Sequence, residues 1–153
     1  MTAKEKAGKY FLEGYNCSQS VFCTFCDRFG IDEETAKKIS AGLGGGVGRM
    51  REVCGAVSAS AMVLGSVCAP TEGSDSESKK KNYELVREFS EKFTQKHNSV
   101  ICRELLKKDI KTEESAKPDD RTAEYYKKRP CLRVVEDAAE ILEEMLSEKN
   151  AEF

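Results

Sequence analysis

Residues 54–68 read CGAVSASAMVLGSVC, and the fold turns on that stretch. It carries no charge and no proline, and Cys54, Val57, Ala61, Leu64 and Cys68 recur at spacings of three and four. That rhythm lays one apolar stripe along an α-helix. The residues between are small: Gly55, Ala56, Ser58, Ala59, Ser60. Small side chains let neighbouring helices approach closely, so a helix over roughly residues 52–68 belongs at the centre of a helical bundle. Ala69-Pro70 ends it, because proline lacks the N–H that would continue the ladder.

Immediately upstream lies Gly42-Leu-Gly-Gly-Gly-Val-Gly48, a loop with wide backbone freedom. No Gly-Lys-Ser/Thr follows it, so it is no Walker A loop, and a helix rather than a strand precedes it, so it is no dinucleotide fingerprint. It reads either as a connector or as a nest of N–H groups beside Cys54. In the second reading Gly44, Gly45, Gly46 and Gly55 form the cofactor-binding backbone, donating to a thiolate or to cluster sulfurs. Arg49 and Arg51 read as solvated loop residues, or as positive charge beside that nest.

Helical signals fill the rest of the chain. A first helix spans 3–14. Asn16 caps a second, with Gln19 placed to reach back, and its face Val21, Phe22, Phe25 and Phe29 runs to Gly30. Asp32-Glu33-Glu34 opens a third, ending near Ala41. After a polar loop at 71–78, a fifth helix over 79–97 buries Val86, Phe89 and Phe93. A short helix follows near 99–107, and another lies around Arg121–Lys128 in the charged 108–129 stretch. The last starts at Pro130 and ends near Lys149. The fold class is therefore all-α: one domain over residues 1–153, a bundle with a glycine-rich loop before its central helix.

Lys and Arg number 25 against 27 Asp and Glu, a balance that offers nothing to nucleic acid or an anionic membrane. No apolar run reaches the ~20 residues of a membrane span, and the N-terminus has no signal-peptide core, so the expected location is cytoplasmic. An odd seven cysteines without an export signal argue against a secreted disulfide framework. Metal binding, redox work or plain burial remain.

The cysteines sort into two sets. Cys17 follows the cap Asn16, Cys54 follows the glycine loop, Cys102 follows Asn98-Ser99, and Cys131 follows Pro130. Each sits near a helix N-terminus, where free N–H groups and the helix dipole favour thiolate. Each of Cys17, Cys54 and Cys131 also heads an apolar stripe facing the core. Cys68 is ~21 Å along its helix from Cys54. Cys23 and Cys26 lie ~9 and ~13 Å from Cys17 along theirs, Cys26 bordering the apolar face and Cys23 pointing away. For these three, burial without chemistry is the expected role. His97, the one histidine, is expected at the surface.

Asn16-Cys17-Ser18-Gln19-Ser20-Val21, Gly44-Gly45-Gly46 leading to Cys54-Gly55-Ala56, Cys102-Arg103-Glu104-Leu105-Leu106, and Cys131 opening the last helix together resemble the C_GCAxxG_C_C family, redox-active proteins named for four cysteines. The resemblance runs from about residue 4 to 146. It departs at Ala59, where the family motif has Gly. The family is similar to a domain of split-Soret cytochromes that carries an iron–sulfur cluster, which implies Cys17, Cys54, Cys102 and Cys131 as metal ligands.

Four readings follow, in order. The first is an iron–sulfur electron-transfer protein ligated by those four cysteines. The second is a metal-free thiol–disulfide oxidoreductase with Cys54 as nucleophile. The third is a structural zinc site, and the fourth a helical interaction domain with inert cysteines. The cofactor is thus an iron–sulfur cluster or none, and the partner a redox protein or substrate that the sequence does not name. A homodimer is compatible with the sequence but leaves no signature in it.

Overall fold

The 54–68 stretch forms α4 (Gly55–Cys68) in a computed structural model that describes residues 1–107 and 115–149. Cys54 is its N-cap rather than an interior residue. Ala56, Ala59, Ser60 and Val63 are fully buried beside Val57 and Leu64. Burial thus extends beyond the single stripe expected, and Ala61 and Cys68 on that stripe are only partly covered. A helix of small residues can be packed on several sides, because each neighbour comes close to its backbone. The hydroxyl of Ser60 is satisfied inside by donating to the Ala56 carbonyl at 2.7 Å.

Three helices close around α4: α2 (Cys17–Phe25), α5 (Ser76–His97) and α8 (Cys131–Glu148). α1 (Ala3–Leu12) packs on α2 and α8, and α3 (Glu33–Ser40) packs on α2. Two short helices, α6 (Cys102–Leu106) and α7 (Ala123–Lys128), lie in the segments between α5 and α8. Among the described residues there is no sheet; one isolated antiparallel bridge joins Val53 to Ile101. The all-α architecture matches the sequence reading. Residues 108–114 of the charged stretch lie outside the described residues.

Local chemistry sets the helix ends. Asn16 accepts from the Gln19 N–H at 2.9 Å while its own N–H donates to Gln19 Oε1 at 3.0 Å, so the cap box expected for α2 is complete. α2 stops earlier than expected, at Phe25, and a 3-10 turn over Cys26–Phe29 carries the chain to Gly30 at φ +72. α5 begins before the expected residue 79, because the Asp75 carboxylate accepts from the Ser78 N–H at 3.1 Å. Leu85, not Val86, is the fully buried residue of its first half.

Two expectations fail for the same reason. α2 has α1, α3, α4 and α8 around it, so it has no free face, and Cys23 is as buried as Cys26. Burial pushes the Cys23 thiol up to about 11 and raises Cys26 as well, which keeps both protonated. His97 is not at the surface: its Nε2 lies 2.9 Å from an Asp137 carboxylate oxygen on α8, and its ring packs on Phe93. Expansion at α4 has nowhere to go. Ala59→Leu should lower stability by about 1–3 kcal/mol, read as a lower urea midpoint with an unchanged slope.

Candidate four-cysteine site

Two glycines bring the site together. An added Cβ at Gly55 would stand 2.8 Å from the Leu43 carbonyl oxygen and 3.2 Å from the Ser18 backbone nitrogen. One at Gly44 would stand 2.4 Å from the Asn16 side-chain nitrogen. The N-termini of α2 and α4 therefore meet at a distance only glycine permits. Asn16 Nδ2 donates to the Ala41 carbonyl, and Ser18 Oγ reaches the Ser40 carbonyl, which fixes the cap of α2 against the end of α3. Cys17 and Cys54 each follow or form a cap at that meeting point.

The loop between α3 and α4 has a left-handed course. Gly45, Gly46, Val47, Gly48, Arg49 and Arg51 all have φ between +55 and +73. Its N–H groups turn back on its own start, with Gly48 donating to Gly42 O and Arg51 to Gly45 O. A Cβ on Gly46 would lie 2.5 Å from the Glu52 nitrogen, so this coil also needs its glycines. The strand-like exit then pairs with residues 100–103. Cys54 N–H donates to Val100 O at 2.8 Å, and Cys102 N–H donates to Glu52 O at 2.7 Å. That pairing sets the start of α6, and with it Cys102, beside the start of α4.

Cys131 joins through the first residue of α8. The four sulfurs lie close enough to influence one another's ionisation: Cys17 and Cys54 shift each other in opposite directions, and the charge of Cys17 bears on both Cys102 and Cys131. All seven cysteines are free thiols. Cys23, Cys26 and Cys68 stand apart from this group. Cys68 donates to the Leu64 carbonyl and accepts from Asn82 at the far end of α4.

The pair Cys17–Cys54 divides its protons unequally. Cys17 is lowered to about 6, chiefly by the Cys54 thiol hydrogen bond, then by the Gly45 N–H, its own N–H and Arg121, against the cost of burial. Cys54 is raised well above the ordinary value of 9.0, by its bond to Cys17, by burial and by the Cys17 charge. Cys17 has the larger set of donors, so it holds the thiolate and Cys54 the proton. The backbone N–H that the nest supplies thus serves Cys17. Gly44, Gly46 and Gly55 contribute close approach instead. Burial and the Cys17 charge push Cys131 up to about 12, and burial raises Cys102 despite the Arg51 guanidinium beside it.

Arginines form the wall. Arg51, which the sequence left as either a solvated loop residue or positive charge beside the nest, is 6% exposed, and its Nη1 donates to Cys102 Sγ at 3.7 Å. Arg121 spans the α1–α2 turn by donating to Phe11 O and Tyr15 O, and lies over the Phe11, Tyr125 and Tyr126 rings. Arg129 packs over Tyr125 and pairs with Asp119 at 2.9 Å. Asp119 also pairs with Arg49 at 3.1 Å and lies 3.9 Å from Arg51. Burial raises the Tyr125 phenol to about 12, so it stands neutral beside Cys131 and Cys17. Sequence reading had no signal for Asp119, Arg121, Tyr125 or Arg129, since each is an ordinary polar residue in a charged stretch. Among the described residues, no three His, Cys, Asp or Glu side chains are placed to hold a metal ion.

Alkylation by iodoacetamide checks the proton distribution. The Cys17 rate should rise through pH 6 and level off by about pH 8, because its thiolate fraction saturates there, while Cys131 stays unreactive. Arg121→Gln should move the Cys17 profile to higher pH. Peptide mass mapping assigns each site.

Residues 15–145 match the family described as "Putative redox-active protein (C_GCAxxG_C_C)". No curated protein and no solved structure matches the chain. With the match covering most of its length and including Cys17, Cys54, Cys102 and Cys131, the chain belongs to the C_GCAxxG_C_C family.

Proposed function

We propose that this protein is a dithiol oxidoreductase whose working pair is Cys17 and Cys54. The observation that carries this reading is the close meeting of the α2 and α4 starts, which sets Cys17 beside Cys54, and this is supported by the opposite shifts of the two thiols, Cys17 down and Cys54 up. Such a pair has the two roles that exchange requires. The Cys17 thiolate attacks a disulfide sulfur, the substrate S–S bond breaks, and one substrate sulfur leaves as thiolate. Cys54 then gives its proton to solvent or to the leaving thiolate and attacks the Cys17 sulfur. The second substrate thiol leaves, and the protein holds a Cys17–Cys54 disulfide. Two electrons have passed from the protein dithiol to the substrate. Partial exposure of Cys17 gives the substrate access, whereas Cys54 is 5% exposed and acts from behind. This assigns the attacking role to Cys17 instead of Cys54.

A four-thiolate iron–sulfur cluster is a second reading. It is favoured by the placement of Cys102 and Cys131 beside the same pair, which supplies the donor set such clusters use. Among the described residues, no three His, Cys, Asp or Glu side chains are arranged to fit a metal ion, and the exchange needs none.

One set of variants separates the readings. Cys17→Ser should abolish reaction with a disulfide. Cys54→Ser should leave a trapped mixed disulfide on Cys17, seen as added mass, and Cys68→Ser should change nothing. Protein purified without oxygen should be colourless and free of iron and sulfide. Brown protein that loses its colour in Cys102→Ser and Cys131→Ser would transfer the case to the cluster.

A further inference from the structure

We infer that the dithiol is built for an anionic disulfide, a small molecule carrying carboxylates near its S–S bond. This rests on the dithiol reading above and adds the class of substrate. The observation behind it is the set of fixed guanidinium groups around the four sulfurs. Arg51 donates to Cys102 Sγ at 3.7 Å, and Arg121 and Arg129 are close enough to act on Cys17, Cys102 and Cys131 by charge. Arginine remains charged at every working pH.

The charge on this wall is only partly answered. Among the described residues, Arg51 and Arg129 share one carboxylate, Asp119, which also serves Arg49. Arg121 has no carboxylate at all among them; its donors end on the Phe11 and Tyr15 carbonyls and the Tyr126 hydroxyl. Arg51 Nη2 is buried without a hydrogen bond, 3.9 Å from Asp119. A buried guanidinium lacking a full set of acceptors is costly unless an anion completes it. Beyond the wall, an open groove of about 1160 Å³ runs past Tyr125 and Pro130, the residue before Cys131, and its five cationic residues, Arg129 among them, outnumber the carboxylates Asp119, Asp120 and Glu124. A substrate carboxylate in this groove, beside the start of α8 that carries Cys131, meets a net positive charge.

In the exchange itself, the same arginines favour the charged species. The attacking Cys17 and the departing substrate sulfur both carry negative charge, and the wall does not move to meet it. A cationic disulfide meets repulsion at each of these points. The charge of the substrate is thus selected on approach.

The test uses the reduced full-length protein and three disulfides of similar reactivity toward a free thiol: oxidised glutathione (anionic), hydroxyethyl disulfide (neutral) and cystamine (cationic). Rates of mixed-disulfide formation at Cys17 are read by mass spectrometry and divided by the rate of each compound with a free small thiol. The normalised rate for oxidised glutathione should exceed that for hydroxyethyl disulfide by roughly tenfold at low salt, with cystamine slowest, and the spread should collapse in 0.5 M salt. Arg129→Gln should narrow the spread between the three compounds, because part of the charge that discriminates among them is lost. Equal normalised rates for the three compounds would overturn the inference and leave the dithiol reading intact. A Cys17 that alkylates with iodoacetamide but reacts with none of the three would overturn the dithiol reading, and this inference with it.

Discussion

The contact between the N-termini of α2 and α4 is the constraint on which the site depends. It exists because Gly55 and Gly44 have no Cβ, so the Leu43 carbonyl, the Ser18 backbone and the Asn16 side chain occupy that space. Both helices point their free N–H groups and positive dipole ends into one small volume. A thiol at each of these starts is drawn into the same field, and the two thiols compete for it. The result is one ionised sulfur beside one protonated sulfur.

The surrounding structure supports that contact from three directions. The left-handed coil from Gly45 to Arg51 folds the loop back so that an amide faces Cys17 and the Arg51 side chain faces Cys102. The backbone pairing of residues 51–54 with 100–103 fixes α6 to α4. Arg121 locks the α1–α2 turn from the third side by donating to the Phe11 and Tyr15 carbonyls. These polar contacts lie against one continuous apolar core that includes Cys54.

Aspartate 119 balances the charge at the site. A buried arginine without a carboxylate is costly, and three arginines on one carboxylate leave a surplus. That surplus lowers the cost of holding negative charge on sulfur, as Arg121 does for Cys17 and as Arg51 and Arg129 do for Cys102. Burial acts in the opposite sense on Cys54, Cys102 and Cys131 and keeps them protonated. The balance of the two effects differs at each sulfur, which is how four chemically identical groups acquire different roles.

The sequence by itself determined the helices, the central place of 54–68, and the separation of Cys17, Cys54, Cys102 and Cys131 from Cys68. These features are written in local terms: spacing of apolar residues, cap residues, and the rise of a helix per residue. Asn16 with Gln19 was legible because a cap box spans four residues, and the match to the family rests on the same short motifs. Tertiary structure alone decided which sulfur ionises, because that depends on Gly45, Arg121 and the neighbouring thiol, which are distant in sequence from Cys17. It also decided the burial of Cys23, His97 and Arg51. Cys23 points away from the apolar stripe of its own helix, His97 ends a charged helix and Arg51 sits in a polar loop, and each is covered by elements far along the chain. Exposure and acidity are sums over everything that surrounds a side chain in space, and a linear pattern carries only the part of that sum contributed by near neighbours.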